Sequence, residues 1–373
     1  MTKKIAIIGA RGINNYGGFE TAVGEIAPSL VKKGFKVYCS CEKTDYNPKM
    51  YEDVNLIYFP IRMSSNYVLR KILEILYDVY FNIYCTIFLR CDIVYSLGLG
   101  VNIFVLVPRL FGKMSIVNVD GLEWRRSKFS TFERVTLKLF FDLILIFSNY
   151  IIVDNNALKN YISSKYLDKV NYIPYGVNEF EKIPWDQNKI KWNISQGDYW
   201  LIVARLEPEN NIHLILNGYI ESNSKYPLVI VGDFVSEKYK DSTKEIVKTK
   251  SNDKRIIFTG GIYDPEVLNM LRQNCKAYIH GHSVGGTNPS LLEAMIMKNI
   301  IIAHENEFNR EVAGETVLYF NNSSILKDII NSIEKNYLNY LNLKTNAYNR
   351  VKGNYLWNNV VNDYLIMFSD DNY

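Results

Sequence analysis

Apolar residues fall in short unbroken runs, separated by longer stretches in which they recur at helical spacing. Lys4-Ile5-Ala6-Ile7-Ile8-Gly9 is such a run. It does not alternate with polar residues, as expected of a parallel strand covered on both faces. Phe19, Ala22, Val23, Ile26 and Leu30 follow at helical spacing. Pro28 lies inside that pattern and predicts a kink or an early stop. Gly34 ends it, and a second strand runs from Phe35 to Cys39. Further strands are predicted at 54–59, 92–97, 114–119, 150–153 and 170–173. A second series is predicted at 199–204, 228–231, 255–259, 277–279 and 299–303. Helical spacing returns at Ile212, Ile215 and Leu216, and at Trp357, Val360, Val361, Tyr364 and Leu365. Strands alternating with helices predict doubly wound α/β domains. Ile173-Pro174-Tyr175-Gly176-Val177-Asn178 breaks the series, and a polar stretch follows. The expected domains are 1–174 and 175–354, with a terminal helix at 355–373 packing back on the first.

The loops between the runs carry the candidate chemistry. His280-Gly281-His282-Ser283-Val284-Gly285-Gly286-Thr287-Asn288 follows a strand and opens a helix at Pro289 or Ser290. Backbone N–H groups at such a helix start favour an anion, and glycines let it approach. Glu293, about a turn into the helix, is placed for neutral hydroxyls such as a ribose. The same residues also make a well-capped turn with a solvated glutamate. The loop from Gly9 to Gly18 holds Arg11, Gly12, Asn14, Asn15, Tyr16, Gly17 and Gly18. It is not G-x-G-x-x-G and is too long for that turn. Glu42, past the second strand, is what keeps a nicotinamide cofactor in view. Asp120-Gly121-Leu122-Glu123-Trp124-Arg125-Arg126 lies beyond a strand's C-terminal end, where open parallel sheets bind ligands. A Trp among carboxylates and arginines suits a sugar, and equally a surface loop with a half-buried ring. Asp264 and Pro265 are set to start a helix. Asn309-Arg310-Glu311 reads as a loop.

Composition narrows the classes. At 373 residues two domains are the prior, and 48% hydrophobic with 22% charged residues is ordinary for a folded chain. A net charge of +4 with no recognisable nucleic-acid motif gives no case for nucleic acid. Cys39, Cys41, Cys85, Cys91 and Cys275 are odd in number, lie in apolar runs and form no C-x-x-C, which reads as buried thiols. His213, His280, His282 and His304 form no zinc-binding spacing. The first strand starts too early for a signal peptide, and no apolar run is long enough to span a bilayer. Basic residues flank apolar helical stretches at Arg62, Arg70, Lys71 and Arg90. They do so again at Arg125, Arg126, Lys128, Arg134 and Lys138, ahead of 139–147. That pattern suits docking on an anionic membrane surface, or plain core helices with solvated ends.

Several of these motifs resemble the retaining glycosyltransferases of family 4, which have the GT-B fold: two Rossmann-like, doubly wound domains facing a cleft. Ala204-Arg205-Leu206-x-x-Glu209 is similar to that family's phosphate-binding turn, and Leu228–Gly232 to its mid-domain strand. Pro289-Ser290-Leu291-Leu292-Glu293-Ala294-Met295, followed by Ile300–Ala303, resembles its donor site. The linker at 173–178 resembles its interdomain segment. The N-terminal Gly9-x-Arg11-Gly12…Tyr16-Gly17-Gly18-Phe19-Glu20-Thr21 and the segment 120–126 resemble a branch of bacterial rhamnosyltransferases of capsule and cell-wall polysaccharide assembly. Two positions depart from the family. Its first paired glutamate is Gly285 here, and the lysine after its phosphate turn is Asn210.

The resemblance implies a hexosyltransferase moving a sugar, L-rhamnose from dTDP-rhamnose by best match, with retention onto a polyprenyl-diphosphate-linked saccharide. It implies no metal and no other cofactor, a nucleotide-sugar donor, a lipid-linked acceptor, and a cytoplasmic enzyme at the inner face of the plasma membrane. Donor contacts would come from Gly17, Gly18, Arg205, Asn210, His282, Gly285, Gly286, Thr287, Asn288 and Glu293. Acceptor contacts would come from Arg11, Asn15, Tyr16, Glu123, Trp124, Arg125 and Arg126, with Asp120 beside the reacting carbon. The alternatives are another nucleotide-sugar transferase of the same fold with a different donor, then a sugar-nucleotide epimerase, a nicotinamide-dependent dehydrogenase and a non-catalytic carbohydrate binder.

Overall fold

The computed structural model describes residues 2–13, 17–100, 102–119, 121–126, 129–250 and 254–369. The chain divides into two units. One holds Met1–Arg125, Phe129–Gly176 and Trp357–Tyr373; the other holds Arg126–Lys128 and Val177–Leu356.

In the first unit the strands are β1 (Lys4–Ile8), β2 (Lys36–Cys41), β3 (Met50–Tyr51), β4 (Val54–Tyr58), β5 (Ile93–Leu97), β6 (Met114–Asn118), β7 (Tyr150–Val153) and β8 (Val170–Tyr172). They form one sheet in the order β3-β4-β2-β1-β5-β6-β7-β8. Every pairing is parallel except the β3–β4 edge. Helices α1 (Gly18–Lys32), α2 (Tyr67–Ile87), α3 (Leu106–Leu110) and α4 (Thr131–Phe147) connect them. The Asn66 side chain caps α2 by accepting from the Leu69 N–H, and Ser130 with Glu133 forms a capping box on α4. Pro28 does not break α1, which runs on to Lys32. The helix at the end of the chain (Trp357–Ser369) belongs to this unit. It sets Trp357, Val360, Tyr364 and Phe368 into the same core as Ile5, Ile7, Val23 and Ile26. Gly176 admits the Trp357 ring, since a Cβ there would stand 2.4 Å from it.

The second unit has β9 (Trp200–Val203), β10 (Leu228–Val231), β11 (Ile256–Gly260), β12 (Ala277–His280), β13 (Ile301–His304) and β14 (Leu318–Phe320). The order is β11-β10-β9-β12-β13-β14, all parallel. Its helices are α5 (Ile212–Glu221), α6 (Glu237–Lys250), α7 (Pro265–Asn274), α8 (Pro289–Ile296), α9 (Glu307–Ala313), α10 (Ser323–Lys335) and α11 (Leu341–Asn354); the terminal helix of the first unit is then α12. Residues 309–311, expected in a loop, lie inside α9. Asn306 caps it by accepting from the Asn309 N–H.

Strand order locates the sites. In the first sheet the chain winds one way from β1 and the other way from β5. In the second it does so from β9 and from β12. Ligands of open parallel sheets bind outside the C-terminal strand ends at such reversals. The loops there begin at Gly9 and Gly98 in one unit, and at Ala204 and Gly281 in the other.

Candidate functional site

In the second unit, the β9 and β12 loops are stitched together by backbone and amide groups. Gly281 is obligatory, because a Cβ would stand 2.0 Å from the Asn210 carbonyl oxygen. Asn211 sits at φ 51° and donates its side-chain N–H to the Gly281 carbonyl at 2.9 Å. Ser283 donates its backbone N–H and its hydroxyl to the Glu209 carbonyl, at 3.0 and 2.9 Å. Asn210 is buried and donates Nδ2 to the Arg205 carbonyl at 2.7 Å, which leaves Oδ1 3.0 Å from His282 Nδ1. Asn306 and Asn309, from the loop and helix after β13, both donate to the His282 carbonyl, at 3.0 and 2.9 Å.

Arg205 extends from this frame with its side chain 57% exposed, an ion pair to buried Glu207 at 3.2 Å holding one side. A cation so placed has donors to spare for phosphate. Gly285 sits at φ +127°, in the region that favours glycine, and Thr287 is buried behind the loop. Asn288 caps α8 by accepting from the Ser290 N–H at 2.9 Å. The hydroxyls of Ser290 and Tyr278 meet at 2.6 Å and both reach the Val203 carbonyl, tying the start of α8 to the end of β9. Burial pushes the Glu293 carboxyl above its usual range, and Arg272 opposes that shift. Arg272 Nη2 lies 2.5 Å from Glu293 Oε2, and the arginine side chain is only 6% exposed. His282 is pushed down to about 3, chiefly by burial. Burial also pushes His280 well down, and among the described residues its Nε2 has no hydrogen-bond partner.

Two sets of groups were not read from the sequence. Arg272 gave no motif signal, since it is one residue of an amphipathic helix. Asn306 and Asn309 carry the N-x-x-N spacing of a capped helix start, a signal that was present.

In the first unit, Gly9 at φ +102° lets β1 turn beside β5, where a Cβ would stand 2.3 Å from the Leu97 carbonyl oxygen. Arg11 is committed inward. Its guanidinium lies 3.3 Å from Asp78 and 4.2 Å from the centre of the Tyr77 ring. Asp78 is buried, and burial raises its carboxyl to about 7 against the pull of Arg11. Glu42, the residue that kept a nicotinamide in view, pairs with Arg70 at 3.2 Å and lies 3.8 Å from Arg11. Gly17 precedes α1, and Gly18 has open space where a Cβ would be. Asn15, Tyr16 and Asp120 lie outside the described residues. Glu123, Trp124 and Arg125 form one 3₁₀ turn. The Trp124 ring packs on Phe141 at 4.3 Å, with the Lys138 ammonium 5.4 Å from its centre. Arg125 donates to the Tyr161 hydroxyl at 2.8 Å. Arg126 is half-buried and groups with the second unit.

Comparison with known proteins gives the class. Residues 186–350 match the family described as glycosyl transferases group 1. Residues 2–178 match a domain of unknown function, DUF1972. No curated protein matches the chain. Among solved structures, sucrose-phosphate synthase from Thermosynechococcus elongatus superposes with a TM-score of 0.80 at 16% identity, covering 98% of each chain. Anabaena Alr3699/HepE in complex with UDP gives 0.73 at 11%, covering 99% of this chain and 100% of that one. TarM gives 0.72 at 12%, covering 99% of each. These likenesses show the fold, which is GT-B. With a glycosyl transferases group 1 domain in its second unit, the protein is a glycosyltransferase.

Proposed function

We propose that the enzyme transfers a sugar from a nucleotide sugar bound at the β9–β12 reversal, with Arg205 on the diphosphate and Glu293 on the ribose. The observation that carries this is the placement of both residues on the loop and helix that flank one switch point, inside a glycosyl transferases group 1 domain. Alr3699/HepE, of the same fold, was solved with UDP and with UDP-glucose. L-Rhamnose from dTDP-rhamnose is the proposed donor, transferred with retention. A glycine at 285 and an asparagine at 210 depart from the commoner donor pattern, and the N-terminal motifs resemble rhamnosyltransferases. A thermal-shift panel of sugar nucleotides tests the donor, because a ligand that binds only the native state raises the apparent melting temperature. Stabilisation by none of them would sink the proposal. An epimerase would change the sugar of a bound nucleotide with no acceptor present, so the same panel read for product separates the two.

Turnover is proposed to need no divalent metal. Among the described residues no three His, Cys, Asp or Glu side chains converge as a metal site. Activity is expected to survive EDTA; a loss restored by Mg²⁺ or Mn²⁺ would count decisively against this.

The acceptor is proposed to be a lipid-linked saccharide, met by the first unit at an anionic membrane surface. Among the described residues no helix is long and apolar enough to cross a membrane. Apolar side chains are nevertheless exposed in quantity: Tyr67, Val68, Leu69, Ile72 and Leu76 on α2, Leu110 and Phe111 at the end of α3, and Phe132, Val135 and Leu139 on α4. Helix α2 packs on α3, and the 3₁₀ turn Asn102–Val105 leading into α3 packs on α4. An exposed apolar set on neighbouring helices marks an interaction surface. The structure changes the expected balance of forces. Arg62 pairs with Asp45, Arg70 with Glu42 and Glu74, Lys71 with Glu74, and Lys138 with Asp142. Much of the basic charge is therefore already answered within the protein, and apolar insertion carries more of the binding. Co-sedimentation with anionic liposomes is expected to persist at raised salt. It should weaken by well over tenfold in Leu69→Ser/Ile72→Ser/Leu76→Ser, since fully burying even one such side chain is worth about 1.5–3 kcal/mol. Wild-type protein that ignores liposomes at low salt would remove the surface from consideration.

A further inference from the structure

His282 is held more firmly than a loop histidine needs to be. Two asparagine side chains grip its carbonyl, and Asn210 holds its ring. The Asn210 amide has one orientation that works. Its Nδ2 donates to the Arg205 carbonyl at 2.7 Å, so its Oδ1 must be the atom facing the ring. Oδ1 only accepts, so His282 Nδ1 carries a proton. That leaves Nε2 as the second ring nitrogen, directed at Gly285, 3.4 Å from where a Cβ would stand.

The charged groups acting on the ring are Arg126, Arg205 and His304, all basic. The β9 loop also brings Glu207, already paired with Arg205, and the buried Glu209, whose carbonyl is taken by Ser283. From β12 comes His280, its ring centre 6.1 Å from that of His282, and a hydrogen bond to the Val284 backbone works the other way, favouring the protonated ring. Basic groups thus gather around a glycine loop. Their charge keeps the His282 ring harder to protonate until an anion arrives among them.

We propose that His282 is the proton-dependent half of the diphosphate site. When the diphosphate of a sugar nucleotide binds beside Arg205, Nε2 takes one proton from solvent and donates the new N–H to a phosphate oxygen. Nδ1–H stays on Asn210 throughout. The asparagine–histidine pair thereby supplies a cation on demand, next to the permanent cation of Arg205. This rests on the nucleotide-sugar reading above. A neutral Nε2 would repel a phosphate oxygen, lone pair against lone pair, so the proton must accompany the anion.

Linkage gives the sign. A ligand that prefers the protonated ring binds more tightly as pH falls. Between the ring's value in the empty protein, about 3, and its higher value in the complex, affinity drops by up to about tenfold per pH unit as pH rises. The test is calorimetry of dTDP-rhamnose and UDP-glucose binding, in buffers of different ionisation enthalpy near neutral pH. A diphosphate esterified at both ends has no proton to exchange there, so any uptake belongs to the protein. Wild type is expected to take up as much as about one proton per ligand. His282→Gln should bind with no uptake and a flat pH profile. Asn210→Asp gives up the bond to the Arg205 carbonyl and will bind more weakly, but it puts a carboxylate on Nδ1 and charges the ring beforehand, so its uptake per bound ligand should shrink. Melting temperatures of both variants check that they fold. Binding by wild type without proton uptake, or full uptake retained in His282→Gln, overturns the proposal. If His282→Gln loses affinity for nucleotide sugars but not for UDP, with no uptake in wild type, Nε2 accepts a sugar hydroxyl instead and the proposal fails. If no sugar nucleotide binds at all, the functional reading falls and this proposal with it.

Discussion

Arg205→Ala is expected to melt below wild type and, at temperatures where it is folded, to lose roughly ten- to hundred-fold in kcat/KM for the nucleotide sugar. The guanidinium is half exposed, and its intramolecular ion pair is with Glu207. Removing it takes a counter-charge from the buried Glu207 carboxylate, so stability falls as well; the functional loss is separate, since a charge-assisted bond to phosphate is worth about 1.5–3 kcal/mol. The companion substitution is Glu293→Gln rather than Glu293→Ala. Truncation to alanine would strand the buried Arg272 guanidinium 2.5 Å away and confound stability with function. The amide keeps an acceptor for Arg272 and removes the charge offered to ribose hydroxyls. Steady-state kinetics alongside thermal melts separate the effects. Near-normal turnover in both well-folded variants would rule out this donor site.

The central strands were legible because burial on both faces leaves a short unbroken apolar run, although Leu143–Phe147 is such a run too and lies inside a helix. Lys4–Ile8, Leu228–Val231 and Tyr150–Val153 needed no tertiary information. The reversal points followed only once strand order was known, since order depends on which helix covers which face. The residues that hold the site were far less readable. Asn210 stands out in the sequence only as the wrong residue for a phosphate turn. Its work is to orient a histidine 72 positions away. Arg11 misleads in the opposite sense. A lone arginine in a glycine loop invites an anion, but Asp78 on α2 has claimed it across 67 positions. Trp124 was open to two readings, and the structure packs its ring on Phe141. Each of these is a pairing made by the fold between distant loops, and spacing along the chain carries no trace of it.

The Arg272–Glu293 pair allows structure and function to be separated in one experiment. Arg272→Met is expected to destabilise the protein by about 1.5–3 kcal/mol, because it leaves the half-buried Glu293 carboxylate, 29% exposed, without its counter-charge. Burial already pushes Glu293 above the ordinary carboxylate range, and Arg272 is the charge opposing it. Without the arginine the carboxyl moves further up and binds a proton more readily. Sugar-nucleotide KM in Arg272→Met should then rise, and rise most at low pH, where the protonated carboxyl accepts ribose hydroxyls poorly. The double substitution Arg272→Met/Glu293→Leu replaces the whole pair by apolar groups, an exchange that is often neutral for stability. Its melting temperature should recover most of the loss while turnover stays down at least as far as in Glu293→Gln. If the double variant regains activity together with stability, the pair is a structural brace and Glu293 does not touch the donor. If stability never recovers, α7 and α8 depend on the pair for packing, and the effect of Arg272→Met on KM must be read from the pH profile of the folded fraction.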